Sequence, residues 1–235
     1  MSLIRTQLTA IFIMFIMALL FLNLKNNEGT PNIPYNSFVH IRISVISGLY
    51  ENEDFNNRQI SGSGAVIKND NFETLILTAE HVCNSSITAS GLTEDHTIKF
   101  ITITDWNGNM HDAEIIGADP INDLCMLKVH NTDIPSLKIS RRQLIPGDRV
   151  YNMAAPYGIF GNKFILTFEG FYSGLINSEN KQIYTIPAAP GSSGSPIINE
   201  NGHLVGMIHS ATESIENIAI GPKTSVILAF IEKYY

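Results

Sequence analysis

The sequence is poor in charge and in cysteine, which narrows its possible functions. Charged residues make up 16% of the 235 residues, the formal net charge is -7, and no basic patch with interleaved aromatic residues occurs. A nucleic-acid partner is therefore not expected, since such binding depends on clustered Lys and Arg. The two cysteines, Cys83 and Cys125, form no standard zinc-ligand spacing with His81, and we predict no metal and no cofactor.

One long apolar run is present, at residues 10–22. With its flanks it is at the short end of what crosses a bilayer as a helix, and its length also suits a secretory signal. Because no small-x-small cleavage site follows, we predict that residues 1–24 are an N-terminal hydrophobic helix acting as an uncleaved signal anchor. A cleaved signal peptide is the alternative. Residues 25–36 are predicted to be a linker. Because a signal anchor would hold the chain in the membrane, the part that follows the linker is predicted to be extracytoplasmic and membrane-anchored.

The remaining chain consists of short candidate strands separated by turn signals, which indicates an all-β barrel or sandwich. About 200 residues follow the N-terminal segment, a length that a single all-β unit routinely fills. A terminal helix is predicted over residues 226–233, capped by Thr224 or Ser225. The predicted strands cover residues 38–47, 64–68, 74–78, 97–104, 113–117, 124–129, 149–154, 164–172, 183–186, 196–199, 204–209 and 218–220.

A serine-rich turn is the main candidate for catalysis. The run Pro-Gly-Ser-Ser-Gly-Ser-Pro at residues 190–196 leads into an apolar strand, and its glycines let the backbone fold closely around a reacting carbonyl. Upstream, His81 follows one apolar strand and Asp123 precedes another. The chain order His, Asp, Ser is that of the chymotrypsin-type triad and differs from the subtilisin and α/β-hydrolase orders.

Five motifs in the expected order extend this similarity over nearly everything after the apolar run. They are Gly-Ser-Gly-Ala-Val-Ile at residues 62–67, Leu-Thr-Ala-Glu-His-Val at 77–82, the segment 119–129, Ala-Pro-Tyr-Gly at 155–158 and Gly-Ser-Ser-Gly-Ser-Pro at 191–196. With them the chain resembles the trypsin-like serine peptidases, especially the HtrA-like proteases and the glutamyl endopeptidases. The resemblance implies an all-β fold of two antiparallel six-stranded β-barrels of the chymotrypsin type with a short C-terminal helix. It implies a protease domain at residues 37–235, divided near residues 140–148, with the triad between the barrels.

The resemblance also implies a role for each candidate residue. Ser193 would attack the scissile carbonyl, His81 would carry the proton, and Asp123 would hold the imidazole in the required tautomer. The backbone N–H groups of Gly191 and Ser193 would form the oxyanion hole. A serine endopeptidase acting on polypeptides through an acyl-enzyme is thus the implied function. A catalytically silent trypsin-fold binding module and an esterase with the same triad are the alternatives, and the oligomeric state is left open.

Neighbouring residues compete for two of these roles. Ser193 is preferred over Ser192 and Ser195 because it alone has the Gly-x-Ser-Gly setting. Asp119 stands before a proline, where an Asp usually starts a turn, so Asp123 is the better triad candidate. Ser192 replaces the Asp that pairs with a freed N-terminus in digestive relatives, so the resemblance implies activity without zymogen cleavage.

The segment at residues 204–209 resembles the strand that lines the primary specificity pocket, so His209, Ser210 and Ala211 are the predicted substrate-binding residues. Glutamyl endopeptidases carry a histidine on this strand, but in the pattern Gly-x-His, one residue earlier. Successive strand residues point to opposite faces, so the offset would turn His209 away unless a bulge restores it. A Glu-preferring pocket and a pocket for small or aliphatic side chains both remain open. Pro187 occupies the place where Arg/Lys specificity needs an acid.

The cysteines each follow a triad candidate by two residues, which leaves two arrangements open. Because His81 and Asp123 must meet, Cys83 and Cys125 could lie close enough to form a disulfide, or they could be two buried free thiols. A disulfide would fit an extracytoplasmic location.

Overall fold

The chain divides into two units, Met1–Asn32 and Ile33–Tyr235. In the first unit, residues 13–17 are helical, and the rest of the apolar run lies outside the described residues. The predicted anchor at residues 1–24 therefore stays a prediction. No helix within the described ranges has the length and apolar character needed to cross a membrane. The structure, a computed structural model, describes residues 13–17, 31–47, 56–70, 72–84, 97–176, 180–212 and 215–234.

The second unit contains two antiparallel sheets, and the first has seven strands in the order β5-β4-β1-β2-β3-β7-β6. On β1, Ile41 and Ile43 are buried while Arg42 between them is exposed, the alternation expected of a sheet with one covered face. β7 instead begins with four consecutive buried residues. The strands are β1 (Phe38–Ser47), β2 (Asn56–Asn69), β3 (Glu73–Thr78), β4 (Thr97–Thr104), β5 (Met110–Asp112), β6 (Glu114–Asp119) and β7 (Leu124–His130).

The second sheet has eight strands, in the order β13-β12-β8-β10-β11-β15-β14, with β9 paired to β10. The chain passes from one sheet to the other between residues 130 and 149. The strand numbers differ from the six per barrel that we expected, because the short edge strands β5, β9 and β14 carry no alternating pattern of their own. The strands are β8 (Arg149–Ala154), β9 (Phe160–Gly161), β10 (Phe164–Ile176), β11 (Lys181–Tyr184), β12 (Pro196–Ile198), β13 (Leu204–Met207), β14 (Ser210–Ala211) and β15 (Ala219–Pro222).

The largest cluster of buried apolar side chains draws on both sheets. It includes Phe38 and Leu127 from the first sheet and Met153 from the second. Val82, on the short helix α1 (Glu80–Asn84), belongs to the same cluster. Fully burying a side chain of this size contributes about 1.5–3 kcal/mol relative to leaving it exposed. The helix that carries His81 is thus anchored on a core shared by the two sheets.

A C-terminal helix is present, as predicted, but it begins two residues early. This helix, α2 (Thr224–Ile231), buries Ile227, Phe230 and Ile231. Thr224 does not cap it, because Lys223 is at the N-cap position and the Thr224 hydroxyl donates instead to the carbonyl oxygen of Val205 at 2.6 Å.

Candidate active site

His81 and Asp123 meet through several hydrogen bonds. The backbone N–H of His81 donates to Oδ1 of Asp123 at 2.9 Å, and Nδ1 of His81 lies 2.8 Å from Oδ2. Asp123 has a left-handed backbone conformation (φ 56°) in the turn before β7, which directs its side chain back towards α1. Because a carboxylate only accepts hydrogen bonds, Nδ1 carries the proton and Nε2 is the ring nitrogen left for proton transfer. Asp119 instead accepts the N–H groups of Ile121 and Asn122, as a turn-starting residue does.

A second imidazole contacts the same carboxylate. Nδ1 of His209 lies 3.2 Å from Oδ2 of Asp123. Burial of Asp123 alone would raise the pKa of its carboxyl, but the hydrogen bonds from His209 and His81 outweigh burial and hold that pKa well below its usual range. Asp123 is therefore ionised at neutral pH. Among the residues that the structure describes, no group of three or more His, Cys, Asp or Glu side chains is arranged to hold a metal ion.

A disulfide joins the segments that carry His81 and Asp123. Cys83 on α1 and Cys125 on β7 are bonded, and both are fully buried. Of the two arrangements that the sequence left open, the structure has the disulfide. It ties the imidazole-bearing helix to the strand that follows the carboxylate.

The turn that carries Ser193 lies against the segment that leads into α1. The backbone N–H of Ser63, on β2, donates to the carbonyl oxygen of Ser193 at 2.8 Å, and the N–H of Gly194 donates to Ile208 at 2.7 Å. Gly194 has φ +82°, and a Cβ there would collide with the oxygens of Ser63 and Thr78. The turn that carries Ser193 therefore packs against β2 and the end of β3, the strand that leads into the helix bearing His81. Across the described ranges no hydrogen bond joins Oγ of Ser193 to Nε2 of His81, a contact that often tightens only when substrate is bound.

The peptide unit before Gly191 is held by a backbone hydrogen bond. The N–H of Tyr157 donates to the carbonyl oxygen of Pro190 at 2.6 Å. No cis peptide occurs in the described residues, so the N–H of Gly191 points opposite to that carbonyl. Gly191 has φ +96°, and a Cβ there would collide with the carbonyl oxygen of Ala155, so only glycine fits. The N–H groups of Gly191 and Ser193 donate to no other described residue and are available to a ligand.

Two buried polar residues that the sequence analysis missed support this turn. The Ser63 hydroxyl donates to the carbonyl oxygen of Gly191 at 2.8 Å and accepts the N–H of Ala155 at 3.1 Å. The Asn152 side-chain amide donates to Oγ of Ser195 at 2.8 Å and to the carbonyl oxygen of Pro196 at 2.9 Å. An Asn between apolar residues of β8 and a Ser between two glycines were the available signals.

A cavity of about 260 Å³ lies beside the segment that precedes the nucleophile turn. Of the three predicted substrate-binding residues, only Ala211 lines it; His209 lies against Asp123, and Ser210 is not part of the lining as far as the described residues show. The role of His209, Ser210 and Ala211 in binding substrate stays a prediction. The cavity is lined by Pro187, Ala188, Ala211, Thr212, Ile215, Glu216, Asn217 and Ile218.

Comparisons with known proteins agree with this architecture. The chain is 28% identical over 159 residues to the serine protease Do-like HtrB of Bacillus subtilis, covering 62% of this chain and 31% of that protein. It is 31% identical over 102 residues to a probable periplasmic serine endoprotease DegP-like of Pseudomonas fluorescens, covering 40% and 21%. It thus spans less than a third of the length of either relative.

The fold is similar to that of a solved structure. The crystal structure of the serine endoprotease from Yersinia pestis matches with a TM-score of 0.64 and 24% identity, covering 85% of this chain and 62% of that one. At this identity the match shows the chymotrypsin-like fold. The model of the trypsin-like peptidase domain matches residues 62–207, which include the segments bearing all three triad candidates. The chain therefore belongs to the trypsin-like peptidase domain family.

Proposed function

We propose that the chain is a serine endopeptidase with the triad His81, Asp123 and Ser193. The observation that carries the proposal is the imidazole whose Nδ1 is 2.8 Å from a buried carboxylate, next to a serine turn with available backbone N–H groups. Asp123 supplies the negative charge that stabilises an imidazolium. The serine turn supplies the nucleophile and the anion-binding donors. The two sheets would then correspond to the two barrels of the trypsin-like fold, with these residues between them.

In the proposed reaction, Nε2 of His81 removes the Oγ proton of Ser193 as Oγ bonds to the scissile carbonyl carbon. The N–H groups of Gly191 and Ser193 stabilise the resulting oxyanion, and the C–N bond then breaks as His81 returns the proton to the leaving amine. Water attacks the acyl-enzyme along the same proton path. This releases the carboxylic acid and regenerates the serine hydroxyl.

Activity without zymogen cleavage is part of the proposal. Ser192 is buried, its N–H donates to the carbonyl oxygen of Ala189 at 2.8 Å, and its hydroxyl accepts the N–H of Ala189 at 3.3 Å. These hydrogen bonds satisfy the position before the nucleophile from within its own loop. No new N-terminus is then required to order the oxyanion hole.

The cavity beside the serine turn suggests the side-chain preference. Its walls combine apolar residues such as Pro187 and Ala188 with polar ones, among them Glu216, whose negative charge would disfavour an acidic side chain. We propose that it accepts small or aliphatic side chains. Cleavage after Glu is less compatible with the position of His209, which lies on Asp123.

The location proposed for the protein is extracytoplasmic. One of the relatives above is named as periplasmic, and a buried disulfide persists in an oxidising compartment. Residues 1–24 are proposed as the signal anchor that holds the domain at a membrane.

Labelling with a fluorophosphonate probe, which reacts with activated serines, tests the proposed function. The protein should be labelled, and Ser193→Ala should abolish both labelling and peptide cleavage, because the nucleophile is lost. Ser136→Ala, an exposed serine outside the site, is the matched control and should label like the wild type. Folded protein that is not labelled would instead support the binding module. Turnover of simple esters without any peptide cleavage would support the esterase.

A further inference from the structure

The carboxylate of Asp123 has two imidazole partners on one oxygen. Oδ2 lies 2.8 Å from Nδ1 of His81 and 3.2 Å from Nδ1 of His209. The partners come from different parts of the chain, His81 from α1 and His209 from the residue pair between β13 and β14. Since a carboxylate only accepts, both Nδ1 atoms carry protons, and Oδ2 receives two N–H groups at once.

His209 is oriented towards this contact and away from solvent. Its side chain is 13% exposed and that of Asp123 is 20% exposed, against 45% for His81. Nε2 of His209 is buried and has no hydrogen-bond partner among the described residues. The ring therefore makes its side-chain hydrogen bond through Nδ1 alone. An unsatisfied buried polar atom is destabilising. A ring that only filled space would therefore lower stability through its buried nitrogen without any functional gain.

The backbone fixes His209 in this place. Its N–H donates to the carbonyl oxygen of Ile220 at 3.0 Å, which pairs this segment with β15. One residue earlier, Ile208 accepts the N–H of Gly194 and donates its own N–H to Ser195. His209 is thus held on the same segment that supports the serine turn.

We propose that His209 is a positioning residue that holds Asp123 and thereby sets the proton affinity of His81. This inference rests on the proposed triad. A hydrogen bond from His209 stabilises the Oδ2 charge and fixes the rotation of the carboxylate. Without that bond the carboxylate interacts more strongly with an imidazolium at His81, so His81 would hold its proton to higher pH. The His81 ring would also be less precisely oriented, because its carboxylate partner would be less firmly fixed.

The ionised neighbours of this cluster are few. Among the residues described, the ionisable side chain within ion-pair distance of His209 is Asp123, from the turn before β7. His81, from α1, reaches His209 through that same carboxylate. The expected coupling therefore runs between two histidines that share one acid.

Three substitutions of His209 separate the hydrogen bond from packing. His209→Leu keeps the bulk and removes the donor. His209→Asn puts an amide N–H2 where Nδ1 stood, whereas His209→Gln puts it where Nε2 stood. His209→Leu and His209→Gln should lower kcat by roughly 10- to 100-fold with little change in KM, the effect expected for losing a hydrogen bond to a charged group. His209→Asn should recover most of that loss. His130→Leu, at an exposed histidine outside the site, is the control.

The pH profile supplies the readout that packing alone would not move. In His209→Leu the acidic limb of kcat/KM should shift upward by about 1 pH unit, and in His209→Asn it should stay near the wild-type position. Equal losses of kcat in the Leu, Gln and Asn variants, with an unmoved acidic limb, would overturn the inference.

Histidine titration by NMR keeps this test separate from the test of the protease. The His81 signals of isotope-labelled Ser193→Ala protein should titrate at higher pH when His209→Leu is added and not when His209→Asn is added. Unchanged His81 titration in the Leu variant would overturn the role of His209 even if the enzyme is active. If protein with Ser193 intact showed no turnover, the proposed function would be overturned, and a shift of the titration would still support the histidine coupling. Should the Leu variant fail to fold, the Gln variant carries the same comparison.

Discussion

Ser63 connects three parts of the candidate site through one buried side chain and its backbone. It is fully buried, its N–H bonds to Ser193, and its hydroxyl bonds to Gly191 and Ala155. Gly191 supplies one of the two proposed oxyanion donors. The hydroxyl of Ser63, on the first sheet, therefore helps to hold that donor's residue in position.

Replacing Ser63 by Ala should therefore reduce activity as well as stability. The carbonyl of Gly191 and the N–H of Ala155 would lose a buried partner, which costs about 1–3 kcal/mol of the free energy of unfolding. The Gly191 peptide would also be free to reorient, and kcat should fall on the order of 10-fold or more. Urea unfolding and peptide cleavage measure the two effects.

Thr74→Val is the matched control, because Thr74 is an equally buried hydroxyl whose partners, Asn69 and Thr132, lie outside the site. It should lower stability and leave kcat unchanged. An equal loss of kcat in both variants would mean that Ser63 acts only through general stability.

At the level of secondary structure, the disulfide joins a short helix to a buried strand. Helix α1 has five residues, too short to be stable by itself, and it contributes Val82 and Cys83 to the core. The bond to Cys125 on β7 closes a loop of 42 residues. The disulfide therefore reduces the number of conformations open to the unfolded chain. It also fixes the helix that carries His81 relative to Asp123.

Reduction of this disulfide should destabilise the domain. Loop-closure entropy predicts a loss of about 4 kcal/mol for a loop of this length. Urea unfolding with and without dithiothreitol measures this loss. A Cys83→Ala, Cys125→Ala double variant should unfold at the same midpoint as the reduced protein, and dithiothreitol should not change that midpoint. A wild-type midpoint that does not respond to the reductant, with two titratable thiols in unfolded protein, would contradict the bond.

For the molecule as a whole, acid stability depends on a buried histidine outside the candidate site. Burial, with a smaller effect from the charge of Arg42, lowers the pKa of His40 from 6.5 to about 4. Nε2 of His40 lies 2.8 Å from the hydroxyl of Ser61, and its ring packs 5.4 Å from the ring of Phe160. The His40 side chain is buried.

The domain should lose stability as the pH falls from about 6.5 to about 4. In that window the unfolded chain takes up a proton at His40 and the folded protein does not, so stability present above pH 6.5 is lost as the pH approaches the folded pKa. The contribution is on the order of 3 kcal/mol, since one pKa unit corresponds to about 1.4 kcal/mol. Urea unfolding between pH 4 and 7, performed on Ser193→Ala protein to avoid self-cleavage, gives the profile.

His40→Gln should flatten this dependence, because its amide can still bond to Ser61 and does not titrate. His130→Gln, at an exposed histidine, should leave the profile as it is. A His40→Gln profile as steep as that of the wild type would show that another group is responsible.

Much of the fold was predictable because its signals are local. Strands β1, β4 and β8 begin and end where apolar alternation and turn residues predicted, since a period of two and a flanking turn lie within about ten residues. The short strands β5, β9 and β14 were not predicted, because pairing with a neighbour defines them. The family was also recognisable, because its motifs are short runs in which each glycine, serine or histidine serves one local backbone or chemical need.

The sequence alone was enough to identify His81, Asp123 and Ser193 as triad candidates and to predict a mainly β chain with a terminal helix. It could not assign Ser63 or His209, because the roles of these residues depend on contacts across 128 and 86 positions of the chain. A polar residue in a local pattern predicts where the backbone turns. Which buried group it meets is determined by the packing of the two sheets, since burial makes the hydrogen bonds between distant segments strong and specific.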